Sequence, residues 1–289
     1  MHIQKLLFVT TFTDLSFDAL ESLLGLRRTG LDHVVFLNVI EREKVAMRRG
    51  AGYDKKAETK LREVANIRFI DWAESLFEQG MEVGVYIVVG DLVQQVVKSA
   101  KNEAADLVVI GRRKTGAIRQ FFSGSDLGAI IRRTGKPLMV YNYRQEAPAP
   151  ESPFARPLLA VSAQRSATPA IALLKAQKEI ISTLHVMHVA SEKDLTESSA
   201  MGIQHTRKEA RRQMDRICDE FAQAGIDAEP HVYIGDPAEE IEKATRELRT
   251  SLLVVGAGEK GKWLGRRIKN VATGLSEQLD LPILMVPPF

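Results

Sequence analysis

The sequence predicts an α/β protein made of two tandem doubly wound domains, each built around a five-stranded parallel sheet. Three observations predict it. Apolar runs of strand length alternate with helix-length stretches, the pattern of β-α-β units. The strands are near-continuous Val, Ile and Leu, so both of their faces are buried, as in a parallel sheet. The pattern also occurs twice. Gly90-Asp91, Gly111 and Pro137-Leu138-Met139-Val140 return as Gly235-Asp236, Gly256 and Pro282-Ile283-Leu284-Met285, always 145 residues later. A shared offset over separate segments marks a duplicated unit. KLLFVT (5–10) likewise resembles RPLLAVS (156–162), and FLNV (36–39) resembles VMHV (186–189).

In the first copy the elements follow in order. Residues 5–10 read as a strand, and 14–27 as a helix with Thr13 or Asp14 as N-cap. Residues 33–40 are the second strand, 54–79 a long helix and 82–88 the third strand. A helix over 91–103 starts on Asp91, and ADLVVI (105–110) is the fourth strand. Residues 124–134 are helical and PLMVY (137–141) is the fifth strand. The copies are expected at 1–145 and 155–289. Between them NYRQEAPAPESPFARP (142–157) holds four of the eleven prolines, which favour extended chain and predict a semi-rigid linker. Because each copy ends on its fifth strand, pairing of those two edges would join the sheets across a pseudo-twofold axis.

Composition narrows the function classes. Hydrophobic residues make up 45% of the 289, enough for a core in each copy, and charged residues 27%. No apolar run approaches the ~20 residues of a membrane span. The lone Cys218 excludes an internal disulfide framework and fits a reducing, cytoplasmic setting, where it reads as a small apolar residue on a helix. The net charge of +3 does not by itself imply nucleic acid. Its distribution is uneven: residues 1–147 carry 22 basic and 18 acidic side chains, whereas 148–289 carry 18 and 19. Seven basic residues fall within 111–136 (Arg112, Arg113, Lys114, Arg119, Arg132, Arg133, Lys136) against Asp126 alone, which reads either as a solvated surface or as attraction for an anion. Nucleic-acid binding is disfavoured, because that stretch has only Phe121 and Phe122 where stacking would need interleaved aromatics.

Ligands of doubly wound sheets bind beyond the carboxyl ends of the strands. In copy one those ends are Thr10 and Thr11, Val39 to Glu41, and Gly111. The helix that starts at Gly124-Ser125 should point its free N–H groups at the same crevice, an arrangement that favours an anion. The two common phosphate cradles are absent. Gly111 and Gly116 have the P-loop spacing, but Ala117 and Ile118 replace its lysine and hydroxyl, and no G-x-G-x-x-G occurs. A strand end, a turn glycine and a helix cap account for Gly111, Gly124 and Ser125 equally well.

With those residues the chain resembles the universal stress protein family, over nearly its whole length and in two copies. ATP-binding members of that family carry Gly, two residues, Gly, nine residues, Gly, then Ser or Thr. Copy one matches at Gly111 and at Gly124-Ser125, with Lys114 in place of the middle glycine. Thr11 stands where the family has an aspartate against adenosine, and Val39 matches the valine beside adenine. The resemblance therefore implies an adenine nucleotide alpha hydrolase-like fold and a partly kept ATP site formed by Thr10, Thr11, Val39, Gly111, Lys114, Gly124 and Ser125, with Mg2+ accompanying the nucleotide. Copy two keeps Gly256 but has Glu259 for the middle glycine, Lys269-Asn270 for the Gly-Ser pair and Ser162 for the aspartate, so it reads as a degenerate, structural partner. The implied function is a cytoplasmic stress-response binding module. The alternative is an interaction or regulatory protein of the same fold that binds no nucleotide. Assembly into homodimers, with unknown protein partners, is compatible with both.

No catalytic constellation stands out. There is no CxxC, HExxH or G-x-S-x-G, and no paired carboxylates present themselves as acid and base. His185 and His188, three apart in a strand, point to opposite faces and do not form a metal pair. No enzymatic activity and no metal site are expected.

Overall fold

A computed structural model describes residues 2–12, 16–46, 52–113, 124–143, 152–161, 164–190, 200–256, 275 and 279–288. Copy one contains β1 (Lys5–Val9), α1 (Phe17–Glu21), β2 (His33–Glu41), α2 (Lys55–Glu78), β3 (Glu82–Gly90), α3 (Leu92–Asn102), β4 (Leu107–Arg113), α4 (Gly124–Thr134) and β5 (Leu138–Tyr143). Copy two follows with β6 (Pro157–Ala160), α5 (Gln164–Ala176), β7 (Leu184–Ala190), α6 (Ala200–Ala222), β8 (Ala228–Ile234), α7 (Pro237–Glu247), β9 (Leu252–Gly256) and β10 (Ile283–Val286).

The ten strands form one sheet in the order β3-β2-β1-β4-β5-β10-β9-β6-β7-β8. Pairing within each copy is parallel, and the copies meet through the antiparallel pair β5·β10, where Val140, Met139 and Leu138 face Ile283, Leu284 and Met285. The edge pairing anticipated from the sequence thus turns two five-stranded sheets into one. Both faces of the inner strands are covered, as their composition requires. One apolar layer contains Phe8, Met139, Leu284 and Leu159; the other contains Leu7, Val140, Ile283 and Leu253. Each layer therefore runs through the β5·β10 seam without a break.

Copy one adds an aromatic cluster under β1 and β2. Phe8, Phe12, Phe17, Phe36 and Phe69 surround Trp72, with ring centroids between 4.7 and 6.1 Å apart. Such pairs add specific geometry to the large area they bury.

Helix starts follow the sequence signals. The Asp91 carboxylate accepts from the Gln94 N–H at 2.8 Å, and Asp236 accepts from Ala238 N–H at 2.9 Å, each capping the helix after its glycine. Three expectations need correction. The helix expected over 14–27 is only α1, followed by a 3-10 helix over Leu24–Thr29. Gly25 lies within that second piece, where an added Cβ would come 3.3 Å from Ser152 Oγ, a tight contact that a small shift of the serine side chain would relieve. The helix enters through Ser16 rather than through Thr13 or Asp14, which lie outside the described residues. Finally, the segment 142–157 is not all linker. Asn142 and Tyr143 belong to β5, Pro157 opens β6, and Phe154 is fully buried in the core.

Candidate functional site

The carboxyl ends of β2, β1 and β4 lie side by side, because Val9 pairs with both Leu37 and Ile110. Thr10 follows directly, with no exposed surface, and its N–H donates to Leu37 O at 3.0 Å. Its hydroxyl accepts from the Phe12 N–H at 2.8 Å, closing a short turn that carries the half-buried Thr11. Phe12 takes a left-handed backbone (φ 67°), uncommon for a bulky residue. Packing of its ring on Phe69 and Trp72, with the Arg68 guanidinium 5.2 Å from the ring centre, holds it there. The Asn38 side chain donates to Thr10 O at 2.9 Å and so fastens the strand end from β2.

Two of the expected strand ends move. Val39 is not beyond β2 but within it, paired with Val88 and 2% exposed, because β2 continues to Glu41. Gly111 does not end β4; it pairs with Tyr141, and the strand runs on through Arg112 and Arg113 against Asn142 and Tyr143. The apolar run stops at Gly111 while the ladder continues, since backbone pairing with β5 does not need apolar side chains. Gly124 opens α4 as expected, and Ser125 is exposed at its second position. Lys114 lies outside the described residues. Thr10, Val39 and Gly111 are thus brought together along neighbouring strand ends, with Thr11 in the turn above Thr10.

An open cleft of about 400 Å³ beside these strand ends is lined by Glu41, Arg42, Glu43, Gly90, Asp91, Leu92, Val93, Gln94 and Asp126. Among the described residues, four carboxylates and one guanidinium line it. Asp126 also stands in the first turn of α4, where its charge already complements the helix dipole. Glu41, Glu43 and Asp91 come from outside the 111–136 stretch, whose basic side chains at 112–114 and 119 lie outside the described ones.

Copy two repeats the fastening in a different chemistry. Val161 N–H donates to Met187 O at 2.8 Å, as Thr10 does to Leu37, and His188 Nδ1 donates to Val161 O at 2.8 Å, as Asn38 does to Thr10. Ser162, Glu259, Lys269 and Asn270 lie outside the described residues.

The fold defines a class: a tandem α/β protein whose two parallel half-sheets join edge to edge into one. The universal stress protein family model matches residues 2–142 and again 157–287. The chain belongs to the universal stress protein family, with two family units in tandem. It is 25% identical to a universal stress protein of Methanocaldococcus jannaschii over 151 residues, 47% of this chain and 93% of that one. Among solved structures, it is similar to a universal stress protein from Archaeoglobus fulgidus at 17% identity and a TM-score of 0.70, covering 98% of this chain and 96% of that one. It is also similar to a functionally unknown protein from Pseudomonas aeruginosa at 16% identity and a TM-score of 0.63, covering 99% and 93%. Among the described residues no helix is long and apolar enough to cross a membrane.

Proposed function

We propose that the protein is a stress-response binding module whose first copy takes an adenine nucleotide, ATP above all, at the carboxyl ends of β1, β2 and β4. One observation carries the reading. Copy one has the strand glycine Gly111 together with Gly124-Ser125 at the start of α4, whereas copy two keeps the strand glycine as Gly256 but has Lys269-Asn270 for the Gly-Ser pair. Glycines permit close backbone approach to phosphate, and the start of a helix favours an anion. In this reading Thr10 and Thr11 border the nucleoside, Val39 lies beneath it, and Lys114 supplies charge near the phosphates.

The acidic cleft adds a condition. Glu41, Glu43, Asp91 and Asp126 oppose a bare triphosphate, so the phosphates need neutralising by Lys114, Arg112 and Arg113, or by a divalent cation such as Mg2+ entering with them. No group is assigned to activate water, so the role is binding and not hydrolysis, in a cytoplasmic setting. The same acidic lining favours a second reading, an interaction protein that uses the cleft without nucleotide.

Calorimetric titration of ATP with Mg2+ tests the proposal. Saturable binding is expected for the parent protein, with a loss of about tenfold or more in Gly124→Lys, which imitates copy two. Affinity should fall when Mg2+ is chelated. No binding at millimolar ATP leaves the second reading, and equal binding by both proteins moves the site elsewhere.

A further inference from the structure

At the other end of copy two, three ligating side chains converge where the amino ends of β7 and β8 lie side by side. His185 pairs in register with Glu229, and Met187 with His231. Residues two apart in a strand share a face, so His185, Glu229 and His231 stand on one side of the sheet. His185 Nδ1 is 3.2 Å from His231 Nε2 and 3.4 Å from Glu229 Oε2, and His231 Nε2 is 3.8 Å from the same oxygen. Among the described residues this is the one such group of three. His185 is buried and His231 half-buried, while the Glu229 side chain is open to solvent. His188 takes no part, because it lies on the opposite face and is tied to Val161.

A single N–H can lie along only one edge of this triangle, whereas one cation at its centre meets all three lone pairs. A four-coordinate Zn2+ with ligands at about 2.0–2.2 Å needs ligand atoms about 3.3–3.5 Å from one another. Two of the three edges already lie within about 0.1 Å of that range, and the longest ends on the exposed Glu229 carboxylate, which is free to swing. Burial holds both imidazoles below their ordinary pKa. The positive charges that bear on them are already engaged. Arg156 Nε donates to Arg249 O at 3.0 Å, and Arg211 pairs with Asp215 at 3.0 Å.

Among the described residues copy one has no such group. With Leu37 equivalent to Met187, the matching positions are Val35, Gly84 and Tyr86. Its own His33–Glu82 pair, 3.3 Å apart, sits at the preceding in-register position of that face and lacks a second imidazole.

We propose that His185, Glu229 and His231 bind a divalent transition-metal ion, Zn2+ by preference, with solvent completing the fourth position. Two nitrogens and one carboxylate oxygen suit Zn2+ and its neighbours, whereas Mg2+ and Ca2+ take all-oxygen sets. The ion would clamp the edge strand β8 to β7, at a site independent of the nucleotide reading.

The test is zinc binding by the full chain after chelator treatment, followed by competition with a chromophoric chelator. The parent should take up one equivalent with micromolar affinity. Glu229→Gln and His231→Gln should each weaken it about tenfold or more, whereas His205→Gln, an exposed histidine on α6, should not. Glu229 is exposed, so its variant is expected to fold, and circular dichroism checks this. Co2+ in place of Zn2+ should give the intense visible bands of a four-coordinate site. No stoichiometric uptake, uptake unchanged in both ligand variants, or Co2+ spectra of a six-coordinate ion would each overturn the proposal. If the variants lower stability while the parent binds no zinc, the triad is only a hydrogen-bonded histidine pair.

Discussion

The two copies share a backbone plan and differ at its ends. Each fastens its first strand with an N–H to the second strand's carbonyl and a side-chain donor returned from that strand, Asn38 in one and His188 in the other. Beyond that shared frame they part. Copy one packs an aromatic cluster and keeps a small-residue bend at the carboxyl edge. Copy two has Lys269-Asn270 at the sequence positions of Gly124-Ser125 and gathers His185, Glu229 and His231 at the amino edge. Duplication has kept what the sheet needs, and the two copies differ at opposite ends of the strands.

The largest effect should come from breaking what still joins them. Leu284 is fully buried and faces Met139 across the β5·β10 seam, inside a layer that spans both copies. Leu284→Ala should cost about 2–5 kcal/mol, as large-to-small core changes do. Two probes read the copies separately: fluorescence of Trp72 in a Trp263→Phe background, and urea-dependent alkylation of Cys218. Both midpoints should fall together. If Cys218 is released at lower urea while Trp72 is unmoved, the seam does not couple the copies.

The repeat, the strands and the capping aspartates were legible because they rest on local signals: a fixed offset, apolar runs, and Asp after Gly at a helix start. The edge pairing followed from each copy ending on a strand. Other features were hidden because they are made by distant chain. Nothing in the sequence near Gly111 says that β4 continues, since only the ladder with Asn142 and Tyr143 extends it. His185 was weighed against His188, its neighbour in sequence. Its partner is His231, 46 residues away, brought in by strand register. A search for ligating residues at matching depths of adjacent predicted strands would have found it.

A second difference concerns alkaline pH. Burial, followed by the Asp215 charge, pushes the Cys218 thiol up from 9.0 to about 11. A folded-state pKa above the unfolded one means that the fold favours the protonated thiol. Its contribution is fully present below pH 9 and is lost as pH rises through about 11. At 1.36 kcal/mol per unit, two units set the loss at about 3 kcal/mol at most. Urea midpoints of the parent and Cys218→Val should run parallel from pH 7 to 9 and then separate, with the parent falling faster. Parallel curves throughout would mean that the thiol is solvated in the folded protein.

The finest comparison is between the two fasteners. Asn38 is 8% exposed and donates to a carbonyl at the root of the turn that holds Thr11 and Phe12. Removing it by Asn38→Ala strips a buried carbonyl of one donor, at a cost of about 1–3 kcal/mol. His188 makes the same bond from a half-buried position, where water can replace it, so His188→Ala should cost only about 0.5–1.5 kcal/mol. The functional consequences should divide more sharply than the stabilities. Phe12 holds a left-handed backbone only because its surroundings fix it, so loosening Thr10 should free the turn and weaken ATP binding in copy one. His188→Ala should leave ATP affinity unchanged, because its turn belongs to the copy that lacks the Gly-Ser bend. Urea melts and ATP titrations of the two variants decide the matter. If His188→Ala weakens ATP and Asn38→Ala does not, the nucleotide belongs to copy two, and the division of labour between the copies is reversed.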